Sequence, residues 1–270
     1  MSCDLAIIIV EHDCADLLRQ CLRSLVEHTR TIRYRVLVIS NGPRDPDVSA
    51  LEAVLPTLQV VRAPHCASFA AATNLGLRLL PKGQDAPRYV LLLNPDTYLH
   101  DDALGALVRC MDAHAQVGVA GPQLRRPDGT PQPYSHGAAP TPGYLLRRLW
   151  SQLRGAYLHP WSGTAPLETE WVAATCMIVR HAALRAVGPL DERFGLYFED
   201  VDWCLRLRAA GWRVLFVPTI AITHLGGASI GARATQHYDR ALVRLYAKRY
   251  GGLPAAWLWW ALRLRRALRR

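Results

Sequence analysis

Four short apolar runs recur at a pitch that few architectures accommodate: "LAIIIV" (5–10), "YRVLVIS" (34–40), "LQVVRA" (58–63) and "RYVLLLN" (88–94). Each is apolar with a share of β-branched residues and ends in polar ones. Between them lie helical patterns at 14–28, where Leu17, Leu18, Cys21, Leu22 and Leu25 repeat at helical spacing, and at 67–80 and 102–113. Strands separated by helices of this length need crossover connections. This predicts an α/β chain with a Rossmann-like, mostly parallel sheet flanked by helices. Ligands of such sheets gather at the carboxyl ends of the strands. The segments that close the runs are Val10 with Glu11-His12-Asp13, Ser40-Asn41-Gly42, and Asn94-Pro95-Asp96.

With 270 residues, 50% hydrophobic and 20% charged, the chain can bury a sizeable core and is not of the disordered class. Its seven cysteines form no C-x-x-C pair, so neither a zinc knuckle nor a disulfide framework is expected. Asp4 stands where a signal peptide would be basic, and the apolar run that follows is short. No export is expected, and the predicted setting is cytoplasmic. Residues 121–166 are rich in proline and glycine and predict a long irregular excursion. Regular structure resumes with a strand over 170–180, helices over 181–187 and 199–210 with Gly211 as a left-handed cap, and a strand over 212–218.

Charge is unevenly spread. Residues 233–270 carry ten Arg or Lys against Asp239 alone, which is +9 of the chain's +10. Trp257, Trp260, Ala261, Leu264 and Leu268 fall on one helical face, and Arg263, Arg265, Arg266, Arg269 and Arg270 on the other. The apolar run 253–262 is too short to span a bilayer, which takes about 20 residues. Basic amphipathic helices lying on an anionic membrane surface are predicted, on the inner face of the cell membrane; a helix packed on the protein's own body or on a partner is the alternative. No nucleic-acid recognition module is visible, and no nucleic-acid partner is expected.

Chemistry concentrates in two places. Asp96, just beyond a buried strand, is placed to hold a divalent cation through oxygen, although N-P-D also opens ordinary turns. Glu199, Asp200 and Asp202 open a helix, where the dipole alone favours acids and where at most two can point at one spot. The dipole does not explain His224, which closes the following apolar strand and opens "HLGGAS".

Over roughly residues 5–229, and most densely in "WVAATCMIVRHAALRAVGPLDERFGLYFEDVDWCLRLRAAGWRVLFVPTIAITHLGGAS", the chain resembles inverting family 2 glycosyltransferases of the GT-A fold. Within them it is most similar to the rhamnosyltransferase-like branch of surface polysaccharide synthesis. The resemblance implies a nucleotide-sugar donor, a saccharide or lipid-linked acceptor, and Mg²⁺ or Mn²⁺. It implies that Asp96 and His224 bind the metal and that Asp200 is the catalytic base. Trp171, Glu199 and Asp202 are implied at the acceptor, and Val10, His12, Ser40, Asn41, Asn74 and Asn94 at the donor. Residues 1–120 then form a donor half, 121–232 an acceptor half, and 233–270 the basic tail.

The donor half departs from the family pattern. Glu11-His12-Asp13 replaces a polar–aromatic–Asn sequence, Ser40 replaces an Asp, and Cys66-Ala67-Ser68-Phe69 replaces Asn-x-Gly-Phe. A nucleotidyltransferase, which shares the sheet type, would carry a Gly-rich basic loop after the first strand, where this chain has the acidic "EHDCAD". A membrane-bound scaffold with a vestigial site is the reading from outside the enzymes.

Overall fold

The computed structural model describes residues 3–64, 67–154, 158–159, 163–226 and 234–267. Cys66, residues 227–229 of the turn after His224, Arg233, Leu268, Arg269 and Arg270 lie outside them.

The elements follow in the order β1 (Leu5–Glu11), α1 (Ala15–His28), β2 (Tyr34–Ser40), α2 (Ser49–Glu52), β3 (Leu58–Arg62), α3 (Phe69–Leu79), β4 (Tyr89–Leu93), β5 (Thr97–Tyr98) and α4 (Ala103–Ala113). Then come β6 (Val117–Arg125), β7 (His136–Gly137), α5 (Pro142–Leu153), β8 (Leu167–Glu168), β9 (Trp171–Val172), β10 (Cys176–Arg180), α6 (His181–Val187), α7 (Glu199–Ala209), β11 (Arg213–His224), α8 (Ala234–Tyr250) and α9 (Gly252–Ala267).

Among the described residues, nine strands form one sheet in the order β3-β2-β1-β4-β10-β6-β11-β5, with β8 beside β11. β1 to β4, β6 and β11 run one way; β10, β5 and β8 run against them. β1, β4 and most of β2 are buried on both faces, which is why they read as continuous apolar runs rather than as alternation. Successive side chains nevertheless part company. Leu5, Ile7 and Ile9 enter a cluster with Leu18, Leu22, Leu104 and Leu107, whereas Ala6 and Ile8 enter a second with Ala70, Ala72, Trp203 and Leu207. Helices α1 and α4 therefore cover one face, and α3, α6 and α7 the other. Gly76 lets α3 approach closely, since a Cβ there would meet the Ile8 side chain at 2.8 Å.

α7 is covered a second time. Val201 and Leu205 turn from the sheet into a third cluster with Phe194, Phe198, Leu242, Leu245 and Tyr246, which roots α8 and α9.

Three expectations are corrected. The excursion is not irregular throughout: β6 extends to Arg125, and α5 occupies 142–153. Pro142 suits the first helical position, where a missing N–H costs nothing, so proline here starts a helix rather than breaking one. The strand expected over 170–180 is two pieces, β9 and β10. The last strand continues past Pro218 to His224, through a register shift against β6 between Val217 and Ala221.

Candidate active site

Asp96 follows β4, and His224 ends β11. They meet because β5 pairs antiparallel with β11, His224 opposite Thr97, and because the Leu225 N–H donates to the Asp96 carbonyl at 3.0 Å. Nε2 of His224 lies 3.2 Å from Oδ1 of Asp96, both side chains being only 10% exposed. On the other side of the ring, Nδ1 is 2.7 Å from Oε1 of Gln132, an oxygen that accepts. In the neutral ring this leaves the Nε2 lone pair turned toward the carboxylate. Two lone-pair donors facing each other suit a cation, and two cis ligands of an octahedral ion at about 2.1 Å stand roughly 3 Å apart. The oxygen and imidazole donors fit Mg²⁺ or Mn²⁺. Among the described residues no cluster of three or more His, Cys, Asp or Glu forms here.

Asp200 is set by backbone geometry. Tyr197 and Phe198 have φ of 71° and 66°, left-handed values that cost a non-glycine residue of order 1–3 kcal/mol each, and they turn the chain directly into α7. The half-buried Asp200 carboxylate then accepts N–H groups from Ala174 at 3.1 Å and Val201 at 2.7 Å. The next residue, Thr175, accepts the Asn94 N–H through its carbonyl at 2.9 Å, so Asp200 is joined to the strand end that carries Asp96.

Burial pushes the Asp200 carboxyl upward, against the pull of those N–H groups. Glu199 is fully buried and pushed up further, first by burial and then by the Asp200 charge. Burial thus works against charge on both carboxyls, and more strongly on Glu199. Asp202 faces the other way. Its oxygens meet Arg206 at 2.9 Å and Lys248 at 2.7 Å, so it ties α7 to α8 and is not free to contact an acceptor.

Where β1 and β2 end, the Asn41 N–H donates to the Glu11 carbonyl at 2.8 Å, and its side-chain amide donates to the Ala67 carbonyl at 2.7 Å. His12 is exposed, with Nδ1 at 2.9 Å from the Asn41 carbonyl; Ser40 is buried beneath, and Val10 packs on the core. Asn74 is different. It is buried, donates to the Leu190 carbonyl and to Glu192, both at 2.9 Å, and accepts the Leu190 N–H at 3.0 Å. Its hydrogen-bonding capacity is used on the protein, so it anchors the 190–192 segment instead of facing a nucleotide.

Trp171 is half-buried, its indole N–H donating to the Ala138 carbonyl at 2.9 Å. Around it are residues the sequence did not single out. His136 stacks on Phe216 at 3.7 Å, and His159 reaches the Tyr144 hydroxyl at 2.9 Å. Burial holds His136 down to about 4, with His159 adding to the effect, so its ring is neutral. Gln132 was also missed. Among the described residues, the non-glycine positions with left-handed backbone are Asp13, Tyr134, Tyr197 and Phe198, which flank the turn after β1, Gln132 and Asp200, a grouping that only the folded chain reveals.

The mixed sheet and its flanking helices are those of the GT-A glycosyltransferases. In structure the chain is similar to GalNAc-T7 in complex with UDP, GalNAc and Mn²⁺, at TM-score 0.64 and 13% identity over 94% of this chain and 53% of that one. It is similar also to the mannosyltransferase PcManGT of Pyrobaculum calidifontis with GDP-Man and Mn²⁺, at TM-score 0.61 and 15% identity over 98% and 74%. The chain thus spans about half the length of the first of these. In sequence, the chain belongs to glycosyltransferase-like family 2, whose model matches residues 3–240. It is 28% identical over 253 residues to an N-acetylglucosaminyl-diphospho-decaprenol L-rhamnosyltransferase of Mycobacterium tuberculosis, covering 87% of this chain and 81% of the relative. It is 24% identical to the rhamnosyltransferase WbbL of Escherichia coli, over 60% of this chain and 62% of that one.

Proposed function

We propose that the protein is a metal-dependent, inverting glycosyltransferase that moves a rhamnose-like sugar or another hexose from a nucleoside-diphosphate donor to a saccharide or lipid-linked acceptor. The observation that carries this reading is the pair Asp96 and His224, 3.2 Å apart at the strand ends, with the ionisable Asp200 joined to them through Thr175. The relatives named as rhamnosyltransferases, one acting on a decaprenol-linked substrate, support the sugar and acceptor classes.

In this reading residues 1–120 hold the donor, with His12 stacking on the base while Ser40, Asn41, Asn94 and Val10 line its site. Residues 121–232 receive the acceptor beside Trp171. Asp96 and His224 hold Mg²⁺ or Mn²⁺, which when bound stabilises negative charge developing on the leaving diphosphate. Asp200 takes the proton of the attacking hydroxyl, and its own raised pKa makes it a better base than a solvated aspartate. Glu199 lies beside it in the chain, its carboxyl pushed up by burial and then by the Asp200 charge. Attack opposite the leaving group inverts the anomeric centre in one step. The tail 233–270 rests on a membrane surface, which suits a lipid-linked acceptor; among the described residues no helix is long and apolar enough to cross one.

Release of nucleoside diphosphate from a panel of dTDP-, UDP- and GDP-linked sugars tests the proposal. Turnover is expected to need Mg²⁺ or Mn²⁺, to vanish in Asp96→Ala, and to fall about 10²- to 10⁴-fold in Asp200→Asn with donor binding kept. Metal-independent turnover that survives Asp96→Ala would sink it.

A further inference from the structure

Gly251, at φ 86°, reverses the chain so that α9 packs back along α8. Ala255 and Leu258 enter the third core cluster, and Asp239 of α8, almost fully buried, receives both Arg265 at 3.3 Å and Arg266 at 2.6 Å. Beside this contact runs a groove of about 640 Å³. Val243, Trp259 and Leu262 give it an apolar wall; Arg240, Arg263 and Arg266 give it a cationic rim. Arg266 is already committed to Asp239. Arg240 and Arg263 are exposed and, among the described residues, form no ion pair, Arg263 lying 4.6 Å over the Trp259 ring.

We propose that this groove binds the phosphate of an anionic lipid, the headgroup held by Arg240 and Arg263 and the start of the hydrocarbon chain laid along Trp259 and Leu262. Guanidinium forks match phosphate oxygens two at a time, and the excess of positive charge over Asp239 calls for an anion. The apolar wall calls for a hydrocarbon attached to it. On the outer side of α9 a ridge of Leu253, Trp257, Trp260 and Leu264, 81, 79, 64 and 62% exposed, is positioned to enter the interface from which such a lipid comes. The inference rests on the membrane reading of the tail but goes beyond it, from a basic surface to a defined headgroup site.

Flotation with vesicles of phosphatidylcholine alone and of an equimolar phosphatidylcholine–phosphatidylglycerol mixture tests it on the full chain. The unaltered protein is expected to bind the mixed vesicles and not the neutral ones. Arg240→Gln with Arg263→Gln should bind them about 30-fold more weakly, roughly 1 kcal/mol for each arginine, with donor hydrolysis unchanged. Trp257→Gln with Trp260→Gln reports on membrane contact itself. If the arginine variant floats as well as the unaltered protein while the tryptophan variant does not, the groove assignment falls and the membrane reading stands. If the unaltered protein binds neither vesicle, both fall. Inorganic phosphate that releases the protein at the concentration of lipid phosphate would make this a free-anion site and overturn the lipid assignment.

Discussion

Gln132 comes from the stretch of chain least legible in the sequence, yet it fixes which nitrogen of His224 is available. Its side-chain oxygen takes the Nδ1 proton at 2.7 Å, and Gly226, at φ 66°, leaves room for it, since a Cβ there would stand 3.2 Å from the Gln132 amide nitrogen. Partners of this kind orient a metal-binding imidazole, and losing one typically costs about 10- to 100-fold in metal affinity. Gln132→Leu is therefore expected to weaken Mn²⁺ binding by that factor in an electron paramagnetic resonance titration, and Gln132→Glu, which keeps an accepting oxygen, to restore most of it. Equal affinity in the Leu variant would end the assignment. The contrast with Asn74 and Asp202 shows what residue types alone withhold. Asp96, Asp200 and His224 stand out in the sequence because each lies at or beside the end of a strongly patterned element. Asn74 lies inside α3 and Asp202 in the first turn of α7, and the residues that hold them, Leu190 and Lys248, are remote in sequence, so no periodicity announces them.

α7 is the element on which the arrangement turns. Trp203, Cys204 and Leu207 press it on the sheet, Val201 and Leu205 on α8, and Lys248 pins its first turn by reaching Asp202 at 2.7 Å and Asp191 at 2.8 Å. The guanidinium of Arg193 and then Lys248 hold the Asp191 carboxyl well below the usual range. A depressed carboxylate contributes stability above its unfolded pKa and loses it as pH falls through the folded one. Lys248→Ala leaves the buried Asp202 to Arg206 alone. Because Lys248 is itself 27% exposed, the cost is discounted to about 1–2 kcal/mol near neutral pH, or a melting point roughly 2–6 °C lower. The gap between variant and parent should close as pH drops below the ordinary aspartate range; a gap that stays constant in acid would mean packing, not charge. Elements buried on both faces were readable for the same reason that they are stable: their apolar runs are continuous. β6 was not, since Gly118, Gly121 and Pro122 interrupt it, and each glycine makes room for a side chain, a Cβ at Gly118 meeting Trp212 at 2.7 Å and one at Gly121 meeting Val172 at 2.8 Å. α5 was hidden because proline and glycine crowd around it.

At the scale of the molecule, one unbroken sheet joins the strand ends at His12 and Asn41 to those at Asp96 and His224, so a ligand spanning them stabilises a single ladder. A diphosphate brings negative charge to a corner already holding Asp96, whose carboxylate repels it unless a cation stands between. Nucleoside diphosphate and Mn²⁺ should therefore stabilise the fold together and little when apart. A ligand at 100 times its Kd adds about 2.7 kcal/mol, which at this chain length raises the melting point by roughly 5–10 °C. Scanning calorimetry with dTDP, UDP and GDP, each with and without Mn²⁺, reads both the synergy and the preferred base, the point on which Glu11, His12 and Ser40 depart most from the family pattern. Asp96→Asn should abolish the synergy and leave the nucleotide's own small shift, because the proposed base contacts, His12 and Ser40, lie at other strand ends. Equal shifts with and without Mn²⁺ in the unaltered protein would show that the Asp96–His224 corner does not couple a cation to the diphosphate.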